Sequence, residues 1–248
     1  MRYFIELSYN GKDYHGWQVQ PNAITVQSVL DKALSILLKT PMTTMGAGRT
    51  DTGVHAAKMV AHFDFYTSFD LDDLTYKLNS FLPKDIAVHY IQQVKNDAHA
   101  RFDATQRTYF YKISTVKDVF NVDGAYYYNK NLDFDLMNKA SKLLLNYSDF
   151  QCFSRAHSDV KTHICSISEA YWTKEKNTLV FKISADRFLR NMVRAIVGTL
   201  LDVGNYKTSL EEFHKIIQSK DRSNAGASAP AKGLYLSEII YPNSIFHV

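Results

Sequence analysis

The order of hydrophobic periods along the chain constrains its fold most. Residues 2–9 alternate between apolar and other side chains, which is the two-residue period of a half-buried strand. Residues 26–37 carry apolar side chains at the spacing of one helix face, and Asp70 is a suitable N-cap for a second helix that ends by Pro83. Further strands are predicted at 42–45, 59–65 and 86–94. This order predicts the ferredoxin-like βαββαβ unit.

The second part of the chain repeats this order imperfectly. The predicted elements are a strand at 107–115, a helix at 136–145, a strand pair at 164–172 and 179–185, helices at 189–203 and 210–218, and a strand at 234–241. The helix at 210–218 has no counterpart in the first part. We therefore predict an α/β chain of two ferredoxin-like, RRM-like halves, residues 1–104 and 105–248.

The glycine-rich run GAGRTDTGVHAA, residues 46–57, carries the strongest candidate for chemistry. If residues 49–51 are extended, the side chains of Arg49 and Asp51 share a face and an ion pair is within reach. Such a partner favours the ionised carboxylate, which acts as a nucleophile or base. The alternative is a tight surface turn with an incidental contact. The run fits neither the dinucleotide fingerprint nor the P-loop.

Composition bounds the environment and the partners. The chain of 248 residues is 46% hydrophobic, enough for a substantial core. It has no apolar run of about 18 residues and begins with a strand-like alternation, so we expect a cytoplasmic protein with no membrane partner. A net charge of +4 permits an RNA partner without requiring one. The basic residues that offer phosphate contacts, as an alternative to ordinary solvated charge, are Arg101, Arg107, Arg155, Lys161, Arg187, Arg190 and Arg194.

The sequence gives no support for a metal or a cofactor. Cys152, His157, His163 and Cys165 lie close together, but their spacing fits no standard zinc pattern. His55 and His62, although near Asp51, are interpreted as packing or hydrogen-bonding residues. No G-x-S-x-G elbow is present, so a serine hydrolase is not indicated.

Six ordered blocks resemble one family. The blocks are SYNGKDYHGWQVQ from Ser8, GRTDTGVHA from Gly48, LNSFLPKDIAV from Leu78, ARFDATQRTYFY from Ala100, FLRNMVRAIVG from Phe188 and APAKGLYL from Ala229. Together they are similar to the tRNA pseudouridine synthase A (TruA) family over nearly the whole chain. Two small departures are Ala98, where relatives often have an aromatic residue, and Ser228, where many have Thr.

The resemblance implies two α/β halves with antiparallel sheets and an active site in the cleft between them. It implies that Asp51 is the catalytic nucleophile, that Arg194 pairs with this carboxylate alongside Arg49, and that Tyr109 contacts the target uridine. The substrate-binding residues expected beside Tyr109 are Arg101, Arg107 and Arg190. It further implies a homodimer without cofactor or metal that acts on tRNA at positions 38, 39 and 40 of the anticodon arm.

Three points stay open at this stage. Asp51 could attack C1′, attack the uracil ring, or abstract a sugar proton. A non-catalytic RNA-binding module is the alternative function, although the aromatic RNP1 pattern of an RRM is missing. A pseudouridine synthase with other target positions is the third possibility.

Overall fold

The computed structural model describes residues 1–155 and 160–246. Within it the chain groups into two compact units, Met1–Gln106 with Leu236–Val248, and Arg107–Tyr235. Each unit combines helices with mostly antiparallel strands, which confirms the predicted α/β class with antiparallel sheets. The halves predicted at 1–104 and 105–248, as independent domains around a catalytic cleft, stay a prediction.

The first unit has the element order that the periodicity predicted. The elements are β1 (Arg2–Tyr9), α1 (Val26–Leu37), β2 (Met45–Gly46), β3 (His55–Asp64), α2 (Leu71–Phe81) and β4 (Ile86–Val94). β1 pairs antiparallel with both β3 and β4, and β2 pairs with β3. The predicted strand at 42–45 shrinks to a two-residue strand, and the strand predicted at 59–65 begins earlier, at His55.

Burial explains why these segments form these elements. In β1 the four alternating residues are all buried: Tyr3, Ile5, Leu7 and Tyr9. In α1 the buried side chains Leu30, Ala33 and Leu34 lie on one stripe, and Thr25 caps the helix through a capping box with Ser28. Asp70 caps α2 as predicted, since its side chain accepts hydrogen bonds from two backbone N–H groups.

The second unit is also built on antiparallel pairing. Its elements are β5 (Gln106–Ser114), β6 (Tyr126–Tyr127), α3 (Phe134–Leu143), β7 (Ile167–Glu175), β8 (Thr178–Ala185), α4 (Met192–Gly204) and α5 (Leu210–Ser219). β8 lies between β5 and β7 and pairs antiparallel with both, whereas the short β6 pairs parallel with β5. The last strand, β9 (Leu234–Ile240), has residues in both units.

One predicted helix boundary is wrong in a way that bears on the site. The helix predicted at 189–203 begins only at Met192, because Asn191 adopts a left-handed conformation with φ 66°. A helix cannot continue through such a residue. The predicted helix would have included both Arg190 and Arg194, four residues apart and so on one face. In the structure Arg190 lies outside α4.

Candidate active site

Asp51 lies on a loop between β2 and β3, which we call the Asp51 loop (residues 47–54). The loop leaves β2 with the Ala47 N–H donating to the Val60 carbonyl at 2.8 Å, and it closes with the Val54 N–H donating to the Asp51 carbonyl at 3.1 Å. Asp51 is half-buried and its neighbour Thr50 is buried. The backbone at the carboxylate is thus fixed at both ends of the turn.

The segment after β1 holds this loop in place. The N–H of Trp17 donates to the Thr50 carbonyl at 3.3 Å, and the N–H of Gly53 donates to the Tyr14 carbonyl at 3.3 Å. Gly16 has φ +81°, and a methyl group on it would overlap the Thr50 carbonyl oxygen. Only glycine permits this close approach of the two backbones.

Side chains reinforce the same contact. The hydroxyls of Tyr9 and Thr50, both buried, lie 2.8 Å apart. The Tyr14 hydroxyl donates to Asp85 at 2.7 Å, which anchors the supporting segment beside β4. The sequence pattern alone indicates only a strand position for Tyr9 and no role for Tyr14. The only signal was that both fall in the block from Ser8 that resembles the family.

Arg49 does not form the ion pair that the sequence predicted with Asp51. Its side chain is exposed, and among residues 1–155 and 160–246 it takes part in no ion pair. Alternation along an extended backbone alone does not bring the two charges together, since Arg49 is exposed while Asp51 is half-buried. A role for Arg49 in the reaction stays a prediction.

The two histidines near the loop are structural, as interpreted from the sequence. His55 accepts the Gly11 N–H on Nδ1 at 3.1 Å, and His62 accepts the Ala100 N–H on Nδ1 at 3.1 Å. Burial, with a smaller contribution from the Arg2 charge, lowers the pKa of His62 to about 4. His62 is therefore neutral at physiological pH and keeps this acceptor nitrogen.

Tyr109 and Arg107 follow one another on the same face of β5. The half-buried ring of Tyr109 packs edge-on against Phe188, with centroids 5.1 Å apart. Arg107 donates through Nη1 to the Asp186 carbonyl at 2.8 Å. Tyr111, the next residue of this face, is fully buried and donates its hydroxyl to the Pro230 carbonyl at 2.8 Å, and burial raises its pKa. Tyr111 is therefore a structural residue.

Arg194 lies in the first turn of α4 and is held there by the backbone of the loop that connects α5 to β9. Its Nε donates to the Ala229 carbonyl at 2.7 Å, and the Ala229 N–H donates to the Arg194 carbonyl at 2.9 Å. One turn later, a methyl group on Gly198 would overlap the Ala227 carbonyl oxygen, so glycine lets this loop lie against the helix. Arg194 and Tyr111 thus contact consecutive carbonyls of one loop.

The remaining predicted binding residues, Arg101 and Arg190, belong to different units. Arg101 is exposed, with its guanidinium carbon 5.6 Å from the centroid of the Phe102 ring. Arg190 is exposed, and its carbonyl accepts the Arg155 N–H at 3.0 Å. Two basic residues of the second unit are thus adjacent in space although they are distant in sequence.

The described residues show no metal centre. In the ranges 1–155 and 160–246, no group of three or more His, Cys, Asp or Glu side chains could hold a metal ion. Cys152 and Cys165 are fully buried, and burial raises the pKa of both thiols. His157 lies outside the described residues. In the same described ranges, no helix has the length and apolar character that crossing a membrane requires.

Comparison with known proteins identifies the family. A family profile described as tRNA pseudouridine synthase matches residues 7–103 and 140–242. The chain belongs to the tRNA pseudouridine synthase family. This match confirms the family that the sequence blocks indicated. Both the Asp51 loop and Arg194 lie inside the matched ranges.

Individual members of this tRNA pseudouridine synthase family align over the whole chain. A protein named tRNA pseudouridine synthase A from Parabacteroides distasonis is 54% identical, with 100% of this chain and 98% of that protein covered. The protein of the same name from Bacteroides fragilis is 55% identical over 99% and 98%. That from Bacillus subtilis is 41% identical over 98% and 100%. These alignments also span Tyr109 and Arg107, which lie between the two ranges of the profile.

Proposed function

We propose that this protein isomerises uridine to pseudouridine in the anticodon stem-loop of tRNA, at positions 38, 39 and 40. The supporting observation is the 54% identity with a tRNA pseudouridine synthase A over 100% of this chain. The reaction class and the tRNA substrate follow from family membership. The target positions follow from the resemblance of the six sequence blocks to the TruA family.

The reaction rearranges one nucleoside. The bond between N1 of uracil and C1′ of ribose breaks, a bond between C5 and C1′ forms, C5 loses a proton and N1 gains one. Atoms and electrons balance without a redox partner. Asp51 acts as the nucleophile or base that begins this sequence, at C1′, at the uracil ring, or at a sugar proton. The hydrogen bonds that fix its loop support a carboxylate held in a defined orientation.

Two arginines serve the carboxylate in this proposal. Arg194 and Arg49 stabilise the negative charge of Asp51 and of the groups that it attacks. The contact between Arg194 Nε and the Ala229 carbonyl supports the role of Arg194, since it fixes the plane of the guanidinium. Arg49 is exposed, and its contribution arises when tRNA is bound.

The other residues bind the RNA. Tyr109 holds the uracil and assists removal of the C5 proton. Arg101, Arg107 and Arg190 contact phosphates, which offsets the cost of taking a paired base out of its stack. We propose that the protein works in the cytoplasm as a homodimer and needs no cofactor or metal.

The decisive assay follows the C5 hydrogen. A tRNA transcript labelled with tritium at C5 of uridine should release tritium to water when the protein is added. When the uridine at position 38, 39 or 40 is replaced by cytidine, the amount of tritium released should fall by the share that comes from that position. Tritium release that persists with all three replaced would place the target elsewhere in the tRNA. Binding without any release would identify an RNA-binding module instead.

A further inference from the structure

The loop that precedes β5 is held by several hydrogen bonds. The Ala98 carbonyl accepts from Arg2 at 2.9 Å, and the Ala100 carbonyl accepts from the Tyr241 hydroxyl at 2.6 Å. The Asp103 carboxylate accepts the His99 N–H at 2.7 Å, while the Asp103 N–H donates to the His99 carbonyl at 3.0 Å. Residues 98–103 therefore form a preorganised loop.

His99 is the centre of this loop. Its Nδ1 accepts the backbone N–H groups of both Arg101 and Phe102, at 3.1 and 3.3 Å. On one side its ring packs edge-on against the buried ring of His62, with centroids 4.6 Å apart. On the other side it lies 4.3 Å from the ring of Phe102. A ladder of three rings thus connects the core to the surface.

The outermost ring of the ladder is largely exposed. Phe102 is 73% exposed, and the Arg101 guanidinium lies over its ring, with Cζ 5.6 Å from the centroid. A lone exposed apolar side chain on a protein surface is ordinary. Phe102 differs because its ring packs on His99, its backbone N–H is hydrogen-bonded to His99, and a cation lies over its ring. In proteins that bind single-stranded nucleic acid, exposed aromatic rings stack on unpaired bases, and nearby arginines bind the phosphates.

We propose that His99, Arg101 and Phe102 form a nucleotide-binding platform, on which Phe102 stacks against one unpaired nucleobase of the tRNA substrate and Arg101 binds the adjoining phosphate. This rests on the proposed function, since it takes tRNA as the partner. A guanidinium has five N–H donors and no acceptor, which suits Arg101 to a phosphate group. Because the loop is already ordered, little conformational entropy is lost when the base stacks.

Tyr76 provides a matched control within the same unit. It is 74% exposed, on α2, so it offers as much aromatic surface as Phe102. Among the described residues its ring has no stacking or cation contact. It therefore reports what an unsupported exposed ring does when tRNA is added.

The first experiment uses tryptophan fluorescence. Both native tryptophans, Trp17 and Trp172, are buried, so Phe102→Trp introduces a distinct exposed fluorophore. Stacking of a base on this indole should quench its emission saturably, with a midpoint equal to the Kd of tRNA measured independently. The Tyr76→Trp protein should show no saturable quenching beyond that of the parent. Equal responses of the two variants would overturn the proposal.

The second experiment separates stacking from charge through salt dependence. Phe102→Ala should raise the Kd for unmodified tRNA at least about fivefold, as expected for the loss of one stacked base, and leave the salt slope unchanged. Arg101→Ala should lower the slope of log affinity against log salt by about one. Tyr76→Ala should change neither. An unchanged Kd in a folded Phe102→Ala protein would contradict the platform.

The platform and the proposed function can be refuted separately. Tritium release by the parent, together with no saturable quenching in Phe102→Trp, would support the isomerase and overturn the platform. Saturable quenching without tritium release would leave the platform standing and remove the isomerase.

Discussion

The Tyr9 hydroxyl lies 2.8 Å from the Thr50 hydroxyl, one residue before Asp51. Tyr9 is the last residue of β1, and both partners are buried. The contact therefore connects the central strand of the first unit directly to the Asp51 loop. With the backbone bond from Trp17 to Thr50, it fixes the residue that precedes the proposed nucleophile.

Tyr9→Phe should slow the reaction more than it weakens tRNA binding. The change removes one hydroxyl and leaves the Thr50 hydroxyl buried without this partner, which should lower the free energy of unfolding by about 1 kcal/mol. Loosening of the loop should reduce the single-turnover rate about tenfold, because catalysis is sensitive to small misplacements. Denaturant titration and rapid-quench tritium release measure the two effects.

Tyr90→Phe is the matched control for this prediction. The Tyr90 hydroxyl donates to Glu6 at 2.9 Å on the same sheet but at an exposed position. Its removal should leave the single-turnover rate unchanged. A Tyr9→Phe protein with the parental rate would show that the contact does not position Asp51.

Tyr109→Phe should impair catalysis, whereas Tyr111→Phe should impair stability. Loss of the Tyr109 hydroxyl should lower kcat about a hundredfold if it assists proton removal, with little change in tRNA affinity. Loss of the Tyr111 hydroxyl removes a hydrogen bond to the Pro230 carbonyl. This should lower the free energy of unfolding by about 1 to 3 kcal/mol. Steady-state kinetics and thermal unfolding of both variants measure these two effects. Parental kcat in Tyr109→Phe would restrict this residue to packing and stacking.

Asp31→Asn should change how stability depends on pH. Burial raises the pKa of Asp31 to about 6, while hydrogen bonds from Thr44 lower it by less. The native state thus binds more protons than the unfolded state between pH 4 and 6, so this group costs stability as pH rises through that range. Asn keeps an oxygen acceptor for the Thr44 N–H without a charge.

Relative to the parent, the Asp31→Asn protein should therefore gain stability as pH rises from about 4 to about 6, by at most about 3 kcal/mol. Denaturant titration at several pH values measures the difference. The exposed Asp73, which pairs with Lys77 on α2, supplies the control change Asp73→Asn, for which no such gain is expected. A pH-independent difference between the parent and Asp31→Asn would refute the prediction.

The sequence predicted the elements better than it predicted their contacts. The alternation of β1 and the stripe of α1 follow from local periods, so both were predicted correctly. The bond between Tyr9 and Thr50 joins residues 41 apart, and no local pattern encodes it. Likewise, a helical period continues back through Asn191, yet its left-handed backbone keeps the helix from beginning before Met192.

For the site, the motif GRTDTGVHA located the Asp51 loop but not the direction of its side chains. A two-residue period placed Arg49 and Asp51 on one face only under the assumption of a regular strand. In the structure residues 47–54 form a loop, and Arg49 is exposed. The conformation of this loop depends on the segment that holds it, residues 10–17. A local sequence pattern does not describe contacts between segments so far apart in the chain.

Asp51→Asn tests the central claim most directly, by single-turnover tritium release from a C5-labelled tRNA transcript. The change removes the charge but nearly preserves the shape of the side chain, and the loop is held largely by backbone bonds. Asp13→Asn, at an exposed position in the supporting segment, controls for the loss of one negative charge. We expect tritium release to fall to background in Asp51→Asn, with tRNA affinity within a few-fold of the parent, and to persist in Asp13→Asn. Release at the parental rate by a folded Asp51→Asn protein would contradict the assignment of Asp51 as the catalytic residue.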